Sequence, residues 1–439
     1  MIKGFDLGSD VFEAVATGAG TPSSIPLLRD VWLSEGLVLL RFLVRELSDR
    51  VEELSAAYEV LARAQARDHE AVRDLLASPW FGVWVVRCAT RLRAGRGLTA
   101  TLRGDLSYLP ALAAVAALRT GLDADLHCRT RGNRLILPGV GAVRLADGEP
   151  AATLRVRDGG VEVRLAHRQV ALPADPAQDD GAGWLALRRL RSHRRGWRLD
   201  VQLDDLDPHR TCYGRPLSKR LGAPRVRQWQ HLLDSAWDLL VRHNPGRAAE
   251  VATGLAAMVP LSARSGAPGF SVTSEDAFGA FALTQPRGPA TFAATLVHEF
   301  QHSKLGALWR AVPLFDRAGK ETYYSPWRDD PRPLGGLMQG AFAFLSVADF
   351  WRALRTEPTV DERAEHEFAR LREEVLLALE TLDTCGRLTP DGWRIVAAMR
   401  ASLDRLMAER VPRSVVARAR EIVREKRAAW DARQADLRR

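Results

Sequence analysis

One stretch decides how this chain is organised: Leu296-Val297-His298-Glu299-Phe300-Gln301-His302. On an α-helix, residues four apart lie on one face about one turn apart, so His298 and His302 can bind a single metal ion. Glu299 can reach a metal-bound water or orient a ligand. The alternative is a helix with two ordinary His and a solvated Glu. The apolar flanks disfavour it, because unpaired His and Glu are costly in a buried helix. The stretch therefore predicts a metal-binding helix.

Length and composition bound the class of protein. The chain has 439 residues, 46% hydrophobic and 27% charged, which is typical of a soluble globular protein with two or three domains. No apolar run approaches the length of a membrane span. Residues 1–8 lack the charged-then-apolar pattern of a signal peptide. We therefore expect a cytoplasmic protein without a membrane partner.

The net charge of +9 is mostly Arg and could attract nucleic acid or an acidic peptide. In the tail, however, Arg alternates with Glu, and no aromatic-basic platform accompanies it, which favours a solvated helix and no nucleic-acid partner. The four Cys are widely separated, which argues against a zinc ribbon or a disulfide framework.

Hydrophobic periodicity predicts an α+β protein that is predominantly helical, with several domains, a β-rich middle segment and an HExxH metal helix. Residues 1–125 read as helical, with one long helix over 51–76. Residues 126–225 are β-rich, with a hairpin around Asp158-Gly159-Gly160, and could recognise a peptide. Residues 226–439 form a mainly helical, metal-binding catalytic region. The acidic run Asp204-Asp205-Leu206-Asp207 is interpreted as a loop that ends at a Pro rather than as a cation site.

The neighbourhood of the motif is also regular. Strands are expected at 269–272 and 280–283, the metal helix at 291–308, and another helix at 334–354. A strand just before the metal helix can line a cleft and pair with an extended peptide.

The sequence resembles a known family over most of its length, most strongly between residues 270 and 352. The residues that carry this resemblance are Thr273–Gly279, Leu296–Leu305, Tyr324–Pro333 and Gly336–Trp351. They are similar to the HEXXH-motif domain of gene clusters for ribosomally made, post-translationally modified peptides. Some relatives in that family are fused to, or lie beside, radical-SAM peptide maturases.

The resemblance implies an iron(II)- and 2-oxoglutarate-dependent hydroxylase that acts on a precursor peptide, typically at a β-carbon. Its partners would be that peptide and possible further peptide-maturation enzymes. The chain departs from the family at one place, because an aromatic-Ala-His triplet often stands where this sequence has Phe342-Ala343-Phe344. That departure puts in doubt a role for a His at this position.

The motif alone also suits a zinc peptidase, in which Glu299 would be the general base. Such an enzyme needs a third ligand, usually a His shortly after the motif or a Glu on a following helix. Residues 303–308 contain no His, and residues 334–354 contain no Glu, only Asp349. The peptidase alternative is therefore weaker but stays open.

An oxygenase requires a third iron ligand, for which Gln339 and Asp349 are the candidates. They are roughly 80° apart around the helix and nearly three turns apart along it, so at most one can bind the metal. Glu299 would then orient a ligand.

The distal carboxylate of 2-oxoglutarate needs a fixed cation, preferably Arg. Arg332 and Arg328 lie near Tyr324 in a Pro-rich loop and are the candidates, unless both pair with the neighbouring Asp329 and Asp330. A third hypothesis, a noncatalytic module that binds the precursor peptide, would leave the His pair without a use.

Overall fold

The computed structural model describes residues 8–18, 23–95, 97–130, 132–146, 149–173, 175–178, 183–263 and 269–438. Most of the N-terminal segment examined for a signal peptide lies outside these residues. The helices in the described ranges are α1 (Ser9–Ala16), α2 (Ser24–Leu47), α3 (Glu52–Arg67), α4 (His69–Leu76), α5 (Pro79–Arg93), α6 (Ala100–Leu106), α7 (Tyr108–Thr120), α8 (Ala223–His243), α9 (Pro245–Gly254), α10 (Pro289–Ala311), α11 (Leu334–Leu354), α12 (Asp361–Thr384), α13 (Pro390–Met407) and α14 (Arg413–Arg438).

Strands are concentrated in the middle of the chain, as predicted, and the fold is α+β and mostly helical. They are β1 (Ala124–Arg129), β2 (Arg134–Leu137), β3 (Gly141–Arg144), β4 (Ala151–Arg157), β5 (Gly160–Arg164), β6 (Gln169–Ala171), β7 (Trp184–Ala186), β8 (Arg188–Arg194), β9 (Trp197–Leu203), β10 (Ala257–Pro260), β11 (Ser271–Thr273), β12 (Ala280–Leu283), β13 (Thr322–Tyr323) and β14 (Arg332–Pro333).

The helix predicted to carry the His298 and His302 motif is confirmed as α10 and extends slightly beyond the predicted range. It begins directly after Gly288 with Pro289, whose missing N–H is tolerated at a helix start. It packs against α11, α8 and α2, and most of its residues are buried. Polar side chains on this helix must therefore find partners inside the protein.

Two predicted elements differ in the structure. The helix expected over 51–76 is broken at Asp68, which is extended and accepts a hydrogen bond from the backbone N–H of Ala71 (3.0 Å), so that a second helix begins there. The helix expected to continue to Met258 ends at Gly254, and Met258 belongs to β10. A short apolar run buried in a sheet cannot be told from a buried helix by periodicity alone.

A five-stranded sheet in the order β11-β12-β10-β9-β8 lies beside α10. Its central strand β10 is parallel to both β9 and β12, whereas β11 is antiparallel to β12 and forms the outer edge. The predicted hairpin is confirmed as β4 and β5 in a separate four-stranded sheet. Strands β8 and β9 precede residue 225, whereas β10, β11 and β12 follow it, and all five belong to one sheet. The domain boundary expected near residue 225 therefore divides the strands of a single sheet.

One hydrophobic core connects the regions before, within and after the β-rich segment. Among the described helices, none is long and apolar enough to cross a membrane. The basic helix α14 docks on α12, and its cations form ion pairs such as Arg420 Nε with Glu373 (3.1 Å) and Lys426 Nζ with Glu374 (2.6 Å). These pairs favour a structural role for part of the positive charge.

The acidic loop after β9 is a buried structural joint. Asp204 accepts hydrogen bonds from the indole N–H of Trp80 (2.8 Å) and from the backbone N–H of Leu206 (2.8 Å). Asp207 accepts one from the hydroxyl of Tyr108 (2.9 Å). The side-chain donors Trp80 and Tyr108 link the N-terminal helices to the sheet. Both carboxylates accept hydrogen bonds from the protein itself, which agrees with the interpretation of this run as a loop.

Asp207 makes the stability of the protein pH-dependent. Burial, followed by the charge of Asp204, raises its pKa to about 8. The folded state keeps this proton where the unfolded chain loses it, so the contribution is complete below about pH 4 and is lost as the pH rises through 8. Urea denaturation measures this contribution: between pH 5 and pH 8, the free energy of unfolding of the wild type should decrease relative to that of Asp207→Asn.

The exposed Asp49 provides the matched control for this experiment. Asp49→Asn should keep the wild-type pH slope, and comparing slopes removes any constant loss of stability in Asp207→Asn. An unchanged slope in Asp207→Asn would contradict the prediction.

Candidate functional site

His298 and His302 point their Nε2 atoms towards one another from adjacent turns of α10, with the two atoms 3.1 Å apart. The ring planes are nearly perpendicular, at 89°. With metal–nitrogen bonds of about 2.0–2.1 Å, this separation corresponds to an angle of about 100° at a shared metal ion. That value lies between octahedral and tetrahedral geometry, so the pair fits one ion.

Gln339 on α11 orients His302. The Nδ1–H of His302 donates a hydrogen bond to Oε1 of Gln339 (2.9 Å), which leaves the Nε2 lone pair for a metal. Gln339 therefore lies behind the imidazole rather than in the position of a third ligand. Burial, with a smaller contribution from His302, lowers the pKa of His298 well below its usual value, which favours the neutral, metal-binding form.

Glu299 is buried and is held from the side of the sheet. Its Oε1 accepts a hydrogen bond from the hydroxyl of Ser271 (2.6 Å), and its Oε2 accepts one from the hydroxyl of Thr273. Both donors belong to β11, and Oε1 lies 4.0 Å from Nε2 of His298. The carboxylate is therefore close to the His pair with both oxygens already engaged.

Asp349 is not brought to the His pair. It accepts hydrogen bonds from Asn244 Nδ2 (3.0 Å) and Arg352 Nε (2.9 Å), away from the cavity. Across the part of the chain that the structure describes, no cluster of three or more His, Cys, Asp or Glu is placed to hold an ion. The protein thus offers two imidazoles, with Glu299 as the neighbouring carboxylate.

A cavity of about 730 Å³ opens onto both His side chains. One wall is aromatic: the ring of Phe344 lies 4.5 Å from that of His298 and stacks on Trp327 at 4.5 Å. Phe344 is the residue that stands where the resembled family often has a His. Here an apolar ring covers that side of the His pair.

The cations of the cavity are not all equivalent. Arg328 and Arg332 both line it, and both form ion pairs with Asp330, at 2.9 and 3.1 Å. Tyr324 is not among the cavity-lining residues; its ring packs against Trp430 at 5.2 Å. The Arg pair is therefore partly neutralised by its own loop, which was the alternative considered from the sequence.

Arg215 is a cavity residue that the sequence did not indicate. Its guanidinium lies 4.4 Å above the ring of Phe270, and in the described ranges it forms no ion pair with a carboxylate. It follows a 3₁₀ helix, Pro208–Tyr213, and no local pattern connects it with the distant motif. Only the tertiary structure brings it to the cavity.

A buried polar cluster supports α10 on the side away from the cavity. Glu250 on α9 accepts hydrogen bonds from Lys304 Nζ (2.8 Å), Gln301 Nε2 (3.2 Å) and Arg247 Nη1 (3.1 Å). Lys304 also donates to the carbonyl of Gly18 (3.0 Å), and burial lowers its pKa to about 8. The cluster connects α10 to α9 and to the chain after α1. Its only signal in the sequence is the presence of Gln301 and Lys304 in an otherwise apolar helix.

Comparison with known proteins assigns neither a family nor a function to this chain. A scan against protein-family models matched none, and a search of curated proteins found no match. The resemblance described from the sequence therefore stays a prediction, and the functional argument depends on the site itself.

Proposed function

We propose that the protein is an iron(II)- and 2-oxoglutarate-dependent hydroxylase that acts on a side chain, at a β-carbon, of a ribosomally made precursor peptide. The observation that carries most weight is that Glu299 is hydrogen-bonded through both carboxylate oxygens beside a converging His pair. A general base must lie within hydrogen-bond reach of the water that it deprotonates, in an orientation that its other contacts allow. Both Glu299 oxygens accept hydrogen bonds from β11 hydroxyls, which supports an orienting role.

Each side chain then has a defined task. His298 and His302 would hold the iron, Gln339 would keep His302 in the correct tautomer, and Glu299 would keep the neighbouring turn in place. Bound iron with 2-oxoglutarate supplies the oxidising chemistry, in which one atom of dioxygen enters the substrate and the other enters succinate as carbon dioxide is released. Phe344 would exclude water from one side of the site.

The cavity also suits an extended peptide. Residues 269–275 line it, and within the described residues β11 pairs only with β12, so its outer edge is open. A peptide could add to this edge through backbone hydrogen bonds and present one side chain to the His pair. The volume of about 730 Å³ lies in the range of pockets that hold small ligands, and it leaves room for a co-substrate as well.

The first test is spectroscopic. Protein purified without oxygen and loaded with iron(II) should develop a weak visible absorption band in the green as 2-oxoglutarate is added. Precursor peptides would then be screened by mass spectrometry for the gain of one oxygen together with succinate formation. Absence of the band in iron-loaded protein would contradict the proposal.

The second candidate is a zinc peptidase, favoured by the position of the edge strand β11 beside the HExxH helix. Glu299→Gln separates the two candidates. It should nearly abolish peptide cleavage by a zinc enzyme, whereas an oxygenase would keep part of its hydroxylation activity. Tight zinc binding with peptide cleavage and no response to 2-oxoglutarate would favour the peptidase.

Arg215 is the cation that we expect to bind the distal carboxylate of 2-oxoglutarate. A hydrogen bond between charged groups contributes about 1.5–3 kcal/mol, so Arg215→Gln should raise the dissociation constant about ten- to a hundredfold. The constant is measured by titrating the absorption band of iron-loaded protein.

Lys219→Gln is the matched control, because it removes an exposed cation that is close to Arg215 in sequence and does not line the cavity. It should leave the dissociation constant unchanged. If Arg328→Gln or Arg332→Gln weakens binding and Arg215→Gln does not, the co-substrate is held by the Pro-rich loop instead.

A further inference from the structure

A second cavity, of about 260 Å³, lies between the N-terminal helices and the five-stranded sheet. Three Arg from three different elements line it: Arg29 on α2, Arg119 on α7 and Arg189 on β8. Asp74 and Asp200 are the carboxylates in its wall. We propose that this cavity binds a phosphate group, independently of the metal site.

The charges in this cavity do not cancel. Arg189 Nε donates to Asp200 at 2.6 Å, and Asp200 also accepts from Arg191 outside the cavity at 3.2 Å. The pair between Arg29 Nη2 and Asp74 Oδ1 is long, at 4.0 Å. Arg119 forms no ion pair in the described ranges, so three guanidinium groups share two carboxylates and leave one positive charge.

Arg119 turns its guanidinium inward. Although the residue as a whole is exposed, desolvation lowers the pKa of its side chain. Its Nη2 lies 3.3 Å from the point where a Cβ on Gly139 would stand, and Gly139 has a φ of +74°. The glycine therefore lets the guanidinium lie directly on the backbone at the cavity wall.

Two residues that line this cavity each have a buried side-chain atom without a hydrogen-bond partner in the described part of the protein. These atoms are Nε of Arg29 and Oε1 of Gln202. A buried donor or acceptor without a partner is costly, and such groups are rare in folded proteins. A bound oxyanion would accept from Arg29, and the Gln202 amide could turn its NH₂ towards the same anion.

The three guanidinium groups indicate which class of anion the cavity would bind. Planar guanidinium forks match the oxygens of phosphate in pairs, and three of them can surround a tetrahedral anion from different sides. A cavity this small fits a phosphate group better than a nucleotide. The group could be inorganic phosphate or the phosphate of a larger molecule that extends into solvent, and the two sources can be distinguished by experiment.

Calorimetric titration of the metal-free, full-length protein at constant ionic strength tests the proposal. Inorganic phosphate should bind at one saturable site, and Arg119→Gln should weaken binding at least tenfold. Arg63→Gln, which removes an exposed charge on α3, is the matched control and should bind phosphate like the wild type. Arg119→Lys keeps the charge without the fork and should give an intermediate constant.

A second titration uses glycerol 3-phosphate. Binding at least tenfold tighter than that of inorganic phosphate would assign the site to a phosphorylated molecule, and any smaller gain, or weaker binding, would assign it to free phosphate. The proposal is overturned if phosphate does not bind, or if Arg119→Gln and Arg63→Gln bind it equally well. Because no metal or 2-oxoglutarate is present, the result is independent of the hydroxylase proposal.

Discussion

His302→Ala is expected to lower the affinity of the protein for iron(II) or zinc by more than about a hundredfold, because loss of an outer-shell partner alone typically costs ten- to a hundredfold. The protein supplies two imidazoles whose Nε2 atoms lie 3.1 Å apart. Within the described ranges, no cluster of three or more His, Cys, Asp or Glu is placed to hold an ion. Removing one imidazole leaves a single nitrogen ligand. Affinity is measured by competition with a chromogenic chelator, and hydroxylation should be lost with the metal.

The exposed His231 on α8 gives a matched control, since His231→Ala removes an imidazole far from the motif in sequence. It should bind metal like the wild type. Wild-type metal affinity in His302→Ala would exclude both the oxygenase and the peptidase candidates, because each requires this ligand.

Glu250→Ala is expected to produce the largest loss of stability. It would leave Lys304 on α10 and Arg247 on α9 buried without their carboxylate, and breaking a buried ion pair in this way typically costs about 3–5 kcal/mol. That loss is a large part of the roughly 5–15 kcal/mol that stabilises a typical protein. Urea denaturation, followed by circular dichroism, measures the free energy of unfolding.

Two comparisons make this result specific. Glu421→Ala removes a solvent-exposed ion pair with Arg418 on α14 and should change stability little. The double replacement Glu250→Leu with Lys304→Met removes Glu250 together with one of its two buried cations, so that only Arg247 lacks its carboxylate. It should recover part of the loss, because apolar side chains of similar volume can replace a buried pair. If Glu250→Ala is as stable as Glu421→Ala, the cluster does not stabilise α10.

Features set by local periodicity could be read from the sequence. The apolar spacing around His298 and His302 predicted one helix with both imidazoles on the same face, and the structure has that helix as α10. The helix Leu334–Leu354 and the hairpin of β4 and β5 followed from the same kind of local pattern. The pairing of His298 with His302 was predictable because four residues make about one helical turn.

Only the tertiary structure decided which other residues meet the His pair. Gln339 and Asp349 were equivalent candidates on one helix, but α10 packs against the end of α11 that carries Gln339, so Asp349 contacts Asn244 instead. Arg215 and Glu250 come from distant segments that carry no local signal. Their positions depend on how helices and sheet pack over long separations in sequence, and hydrophobic burial drives that packing without a local pattern to record it.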